Sequence, residues 1–191
     1  MRKIFLDVGA HEGQTLRAVI DLPFDRVYAF EPVPDHWDRL AQFGSLVTLQ
    51  TFGLSDVTGN INVYDPGSMG ASMWQRPGRS SRRIICEFRR ASDWMRANLE
   101  QGDEVYMKLN CEGAELDILN DLASTGNLPH FKSVLVMFDA HKIPELHEQL
   151  AETRVRLKAY PNVLSSKEIP PGLTHTARIR NWLRMAGLDF A

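Results

Sequence analysis

The sequence predicts an α/β domain built on a doubly wound, mostly parallel sheet, and three observations point there. Short apolar runs without polar alternation recur at residues 4–8, 27–30, 47–52, 105–109 and 134–138, as suits strands buried on both faces. Helical stretches separate these runs, and alternation of strand and helix implies parallel strands joined by right-handed crossovers. Glycine or charged residues follow several of the runs directly, and this architecture binds ligands just beyond the carboxyl ends of its strands.

The elements follow in order. The first strand, 4–8, runs into the turn Gly9-Ala10-His11-Glu12-Gly13, and a helix over 14–20 stops before Pro23. The second strand, 27–30, closes on Glu31-Pro32; a helix over about 35–43 and a strand over about 47–52 come next. Ser55-Asp56-Val57-Thr58-Gly59 reads as a turn and 60–64 alternates like an antiparallel edge strand. Residues 66–81, rich in Gly, Ser and Arg with Met69, Met73 and Trp74 embedded, form a long loop of the kind that is usually functional in a compact domain. A helix at 92–99, a strand at 105–109, a helix at 115–122, a strand at 134–138 and a polar helix at 144–157 continue the pattern. The last helix, 176–185, carries Trp182 and Leu183 on one face and is capped by Gly187.

A chain of 191 residues, 43% hydrophobic and 24% charged, can bury one full core, so a single domain over 1–191 is expected. The formal net charge of −2 argues against a nucleic-acid binder. Cys86 and Cys111 lie far apart in no CxxC pattern, which suggests reduced thiols in a reducing compartment rather than a disulfide framework or zinc site. The opening apolar run breaks at Asp7, too short for a signal peptide, and no stretch approaches the ~20 apolar residues of a membrane helix. A cytoplasmic protein without a membrane span is expected, and a homodimer is compatible with the sequence.

The strand ends carry the chemistry. Gly9 and Gly13 let the backbone approach a ligand at the amino end of the following helix. Glu31, 22 residues after Gly9, is placed to accept both hydroxyls of a ribose. The spacing G-x-x-x-G differs from the G-x-G-x-x-G of a dinucleotide site. Asp7 and Glu12 would repel a pyrophosphate and suit a ligand bearing an ammonium and a sulfonium. Ser55-Asp56 is positioned to bond an adenine amino group and is equally an ordinary turn opener. Lys108, Asn110, Glu112 and Glu115 crowd one strand end; such crowding favours a site, while the alternative is a salt-bridged helix start. His141 follows a buried strand and can act as a base near neutral pH; with Asp139 it can equally hold a divalent ion. His11 lies within the first turn.

Together these segments resemble the FkbM-type methyltransferase family. The matching pieces are Asp7-Val8-Gly9-Ala10-His11-Glu12-Gly13, Ala29-Phe30-Glu31-Pro32, Leu54-Ser55-Asp56-Val57-Thr58-Gly59 and the stretch from Met107 to Glu115, in the family's order and spacing. The resemblance implies the Rossmann-like class I methyltransferase fold, S-adenosylmethionine as cofactor, and methyl transfer to a hydroxyl of a sugar, glycolipid, polysaccharide or natural product. It implies that the turn from Asp7 through Gly9 and His11 to Gly13 cradles the methionine part, with Asn110 and Glu112 beside it. Glu31 takes the ribose, and Ser55 and Asp56 the adenine. Lys108 and Glu112 fall in the family's K-x-D-x-E-G-x-E segment, and Lys108 joins Asp139 and His141 as a catalytic candidate. Asn110 stands where the family usually has aspartate, which is the best argument for a module that binds the cofactor without catalysis. A magnesium ion held by Asp139 and Glu112 would be an alternative to a His141 base. The chain ends soon after its last helix, where this fold usually adds an antiparallel hairpin: either the sheet is short at that edge or this is a truncated form. Methylation of nitrogen or carbon is a rival within the class, and a nicotinamide-dependent oxidoreductase is disfavoured by the glycine spacing.

Overall fold

A computed structural model describes residues 1–172 and 174–190. Strands β1 (Lys3–Val8), β2 (Arg26–Phe30), β3 (Val47–Gln50), β7 (Glu104–Leu109), β8 (Phe131–Val136) and β9 (Val163–Ser165) form one six-stranded sheet in the order β3-β2-β1-β7-β8-β9. Every pairing in it is parallel. Among the described residues no antiparallel strand joins this sheet. The order turns back between β1 and β7, so a crevice opens at their carboxyl ends.

The apolar runs are buried on both sides. Ile4, Leu6, Val8, Met107 and Leu109 join a core with Trp94 and Met95 of α3 (Ala91–Asn98) and with Ile118 and Leu119 of α4 (Glu115–Ser124). Phe5, Val27, Ala29 and Tyr106 face the other way. They pack against Leu16 and Val19 of α1 (Gln14–Val19) and Ile179, Trp182 and Leu183 of α6 (His175–Met185). Trp182 is fully buried and its indole N–H donates to Ser133 Oγ at 2.8 Å. Gly187, at φ 84°, ends α6 with its N–H on Arg184 O and the Leu188 N–H on Leu183 O.

The alternation of strand and helix is interrupted after β3 and α2 (Trp37–Ala41). A second sheet, ordered β4-β6-β5, is built from β4 (Gly53–Ser55), β5 (Gly59–Tyr64) and β6 (Arg83–Arg90). β5 is the antiparallel edge strand expected. β4, β6 and β9 were not anticipated. In β6 the period-2 signal is present, with Cys86 and Phe88 buried between exposed Arg83, Ile85, Glu87 and Arg89, but arginines mask it. β8 stops at Val136 rather than at Phe138, and α5 (His147–Leu157) is preceded by two single 3-10 turns. Among the described residues, no helix is long and apolar enough to cross a membrane.

Candidate active site

The crevice at the turning point is a narrow cleft of about 630 Å³. Its floor is the carboxyl edge of the large sheet: Val8 and Gly9 at the end of β1, Phe30 and Glu31 at the end of β2, Asn110, Cys111 and Glu112 after β7. One wall is the small sheet, through Leu54, Val63 and Phe88. The roof is the segment from Ser68 to Met73.

The turn after β1 is shaped by crowding. Gly9 sits at φ 78°, and a Cβ there would lie 2.0 Å from Asn110 O, so only glycine allows β1 and β7 to end this close together. The Gly9 and Ala10 N–H groups both donate to Phe30 O, which ties the turn to β2. Gly13, at φ 79°, leaves room for the Phe43 ring.

Glu31 is 5% exposed. Its Oε2 accepts the His11 N–H at 2.8 Å and its Oε1 the Val33 N–H at 2.9 Å. Burial pushes its carboxyl up to about 7 despite these bonds. Each oxygen keeps a further lone pair for a ligand.

Asp7 and Lys108 lie behind this floor. The two residues are register partners on β1 and β7 and face the α1–α6 side. Lys108 Nζ donates to Asp7 Oδ1 at 2.9 Å and to Gly9 O at 3.0 Å, and both residues are almost completely buried. Burial raises the Asp7 carboxyl above its ordinary range. Neither residue lines the cleft, so this pair supports the turn from beneath.

At the other end Glu112, at φ 52°, is gripped by the roof. Arg76 Nη1 donates to Glu112 Oε2 at 2.9 Å and Ser72 Oγ to Glu112 O at 2.6 Å. Lys142 Nζ lies 2.6 Å from Asp139 Oδ1 and 3.5 Å from Glu112 Oε2, so an ammonium bridges the two carboxylates suggested as metal ligands. Burial first, and Asp139 second, raise the Glu112 carboxyl. Among the described residues, no group of three or more His, Cys, Asp or Glu side chains is arranged to hold a metal ion.

Asp139 and His141 do not share a strand face, because β8 has ended and a 3-10 turn (Ala140–Lys142) rotates them apart. His141 is exposed with its Nδ1 2.6 Å from Phe138 O, which leaves Nε2 free. It does not line the cleft; the adjacent Lys142 reaches Glu112, which does. Ser55 is buried with its Oγ donating to Asp56 Oδ1 at 3.1 Å, and Asp56 is exposed. The cleft wall there is Gly53 and Leu54 instead. Trp74 also turns away from the cleft and packs with Leu116, Ile143 and Leu146, anchoring the roof.

Two residues acquire roles that sequence reasoning did not assign. Glu115 is fully buried; its Oε2 accepts the Gly113 N–H and its Oε1 the N–H groups of Asp139 and Ala140, all within 2.8 Å, so it joins the ends of β7 and β8. His36, four residues past Pro32, lines the cleft with its ring centroid 4.1 Å from that of His11. Its only sequence signal is a polar residue shortly after the acidic strand end.

With that geometry in place, comparison with known proteins gives the family. The model of the methyltransferase FkbM domain matches residues 7–188. The chain belongs to the FkbM methyltransferase family. The match covers both Gly9 and Trp182, so the cleft and the last helix lie within it. The crystal structure of methyltransferase FkbM from Methylobacillus flagellatus KT shares the fold, with a TM-score of 0.53 at 18% identity. The alignment covers 84% of this chain and 38% of that protein, so the chain spans well under half of its length. A search of curated proteins returned no match.

Proposed function

We propose that this protein is an S-adenosylmethionine-dependent O-methyltransferase acting on a hydroxyl of a glycan or natural product. One observation carries the cofactor reading: the cleft is lined by Glu31 and Glu112 and, among the described residues, by no lysine or arginine. Arg76 is committed to Glu112, and Lys108 to Asp7 and Gly9 behind the floor. Such a lining repels a pyrophosphate and suits a ligand with positive charge. The donor set also fits: a carboxylate with lone pairs free at the end of β2, and a glycine cradle that a Cβ would fill. Glu31 would hold the ribose, and the Gly9–Gly13 turn with Asn110 the amino-acid part.

When bound, the cofactor supplies an electrophilic methyl group. The protein must hold the acceptor oxygen in line with it and take the acceptor proton; positioning of this kind supplies much of a rate enhancement. The roof would cover the acceptor, with Met69 and Met73 against its apolar face. His141 is the proposed base, because Phe138 O orients its ring through Nδ1 and leaves Nε2 to receive a proton. Glu112 is the second reading, favoured by its place in the cleft and its raised carboxyl. Beyond the roof, the same loop carries Arg79, 3.7 Å from Asp65, and an exposed Arg82, which leaves an anionic acceptor as one class to include.

Calorimetry tests the cofactor assignment. S-adenosylhomocysteine is expected to bind and NAD is not; tight NAD binding without a response to S-adenosylhomocysteine would remove the proposal. Affinity is also expected to fall with pH. The Glu31 carboxyl titrates near 7 in the free protein, and hydroxyl donors favour its ionised form, so below that value a proton must leave before the ligand binds. The limiting slope is about tenfold per pH unit. A flat profile from about pH 8 to about pH 6 would place the ribose elsewhere. Glu31→Ala is expected to weaken binding by about 1.5–3 kcal/mol, the worth of hydrogen bonds to a charged acceptor, and an unchanged dissociation constant would contradict the assignment.

A further inference from the structure

His36 is a cleft residue that the proposed chemistry leaves without a task. It is 4% exposed, and its Nε2 is buried without a hydrogen-bond partner. His11 Nε2, in the ring tilted against it, is also buried without a partner. Two orphaned imidazole nitrogens side by side call for a reason, since an unsatisfied buried polar group costs about 1–3 kcal/mol. Burial holds both rings below the ordinary histidine range, so at neutral pH each is uncharged, with one N–H and one acceptor nitrogen. An uncharged ring tolerates a cationic ligand close by, whereas an imidazolium would repel it.

The neighbourhood indicates which part of a ligand would satisfy His36. The backbone N–H of His11, whose ring packs tilted against that of His36, donates to Glu31 Oε2, and all three residues line the same cleft. A diol donating both hydroxyl hydrogens to Glu31 still has oxygen lone pairs that need donors. Of the other side-chain donors in the cleft, Ser68 Oγ donates to Asp65 and Ser72 Oγ to Glu112 O, while Asn110 stands at the end of β7, where the amino-acid part of the ligand is proposed to lie. We propose that His36 is a specificity residue of the cofactor site, donating a hydrogen bond to a ribose hydroxyl whose own hydrogen is given to Glu31. The carboxylate and the imidazole together then recognise the hydroxyl as donor and as acceptor, and discriminate ribose from deoxyribose. This inference rests on the adenosyl-ligand reading of the cleft.

The test is a binding cycle by calorimetry, with S-adenosylhomocysteine and its 2′-deoxy and 3′-deoxy analogues as probes. The variant His36→Phe keeps an aromatic ring against His11 and removes both nitrogens; His36→Leu serves the same purpose if the phenylalanine variant does not fold. The parent is expected to bind at least one deoxy analogue at least tenfold more weakly than the ribose compound. His36→Phe is expected to bind S-adenosylhomocysteine about fivefold to tenfold more weakly, the worth of one neutral hydrogen bond. That same deoxy analogue should bind variant and parent alike, so discrimination shrinks. Equal losses for all three probes, or no loss for S-adenosylhomocysteine, would overturn the role of His36 while leaving the cofactor assignment standing. Failure of the parent to bind S-adenosylhomocysteine would remove both, and the parent titration alone decides that.

Discussion

Lys108→Met is expected to destabilise the fold by about 3–5 kcal/mol at neutral pH, the usual cost of removing one partner from a buried ion pair. Lys108 Nζ is the donor to Asp7 Oδ1, the Asp7 Oδ2 atom already lacks a partner, and both side chains are out of water. Methionine matches the lysine stem but leaves the Asp7 carboxylate uncompensated beneath Gly9, and it also removes the donor to Gly9 O. The loss should depend on pH with a definite sign. The Asp7 carboxyl is already raised by burial, and Lys108 is what lowers it, so the variant raises it further. A folded state that binds a proton more tightly than the unfolded chain loses stability as pH rises. The variant should therefore recover stability as pH is lowered from about 7 towards the ordinary aspartate range near 4. Urea denaturation at several pH values measures this. Pairing the change with Asp7→Leu should restore much of the loss, because an apolar pair of similar volume replaces a buried ion pair at little cost. A single variant within about 1 kcal/mol of the parent would mean that Asp7 and Lys108 are not coupled as described.

His141→Ala is expected to lower turnover by about 10²–10⁴-fold, the usual contribution of a general base, while leaving the dissociation constant of S-adenosylhomocysteine unchanged. The separation follows from geometry: His141 is exposed beyond β8 and does not line the cleft. Free sugars and glycans with open hydroxyls are the first acceptors to screen. Glu112→Gln belongs in the same experiment, because glutamine keeps an acceptor for Arg76 but cannot take a proton. Full activity in His141→Ala with a large loss in Glu112→Gln would move the base to Glu112. Activity abolished by a chelator and restored by magnesium would instead make Asp139 and Glu112 ligands, with Lys142 displaced from between them.

Much of the site was legible in the sequence because parallel strands bury both faces and present only their carboxyl ends. Val8-Gly9, Phe30-Glu31 and Leu109-Asn110 mark three such ends, and all of these residues but Leu109 line the cleft. The glycine spacing was legible for a related reason: Gly9 at φ 78° in contact with Asn110 O tolerates no side chain. The pattern failed where contacts are local in space but remote along the chain. Asp7 and Lys108 read as site residues because charge at a strand end suggests a ligand, yet each is the other's partner, 101 positions apart. Asp139 and His141 read as neighbours on one face because the apolar run appeared to reach Phe138, whereas the N–H groups of Asp139 and Ala140 bond Glu115 and the chain turns.

By itself, the sequence determined the parallel sheet, the strand-end location of the cleft, Glu31 and the family, since these follow from periodicity and short motifs along one stretch of chain. Only the tertiary structure decided that the loop after β5 is a roof latched to Glu112 through Ser72 and Arg76, that Trp74 anchors it, and that His36 packs against His11 in the cleft that Glu31 lines. Whether a charged or aromatic side chain meets ligand, partner or solvent depends on which distant segment folds against it, and local pattern carries no record of that segment.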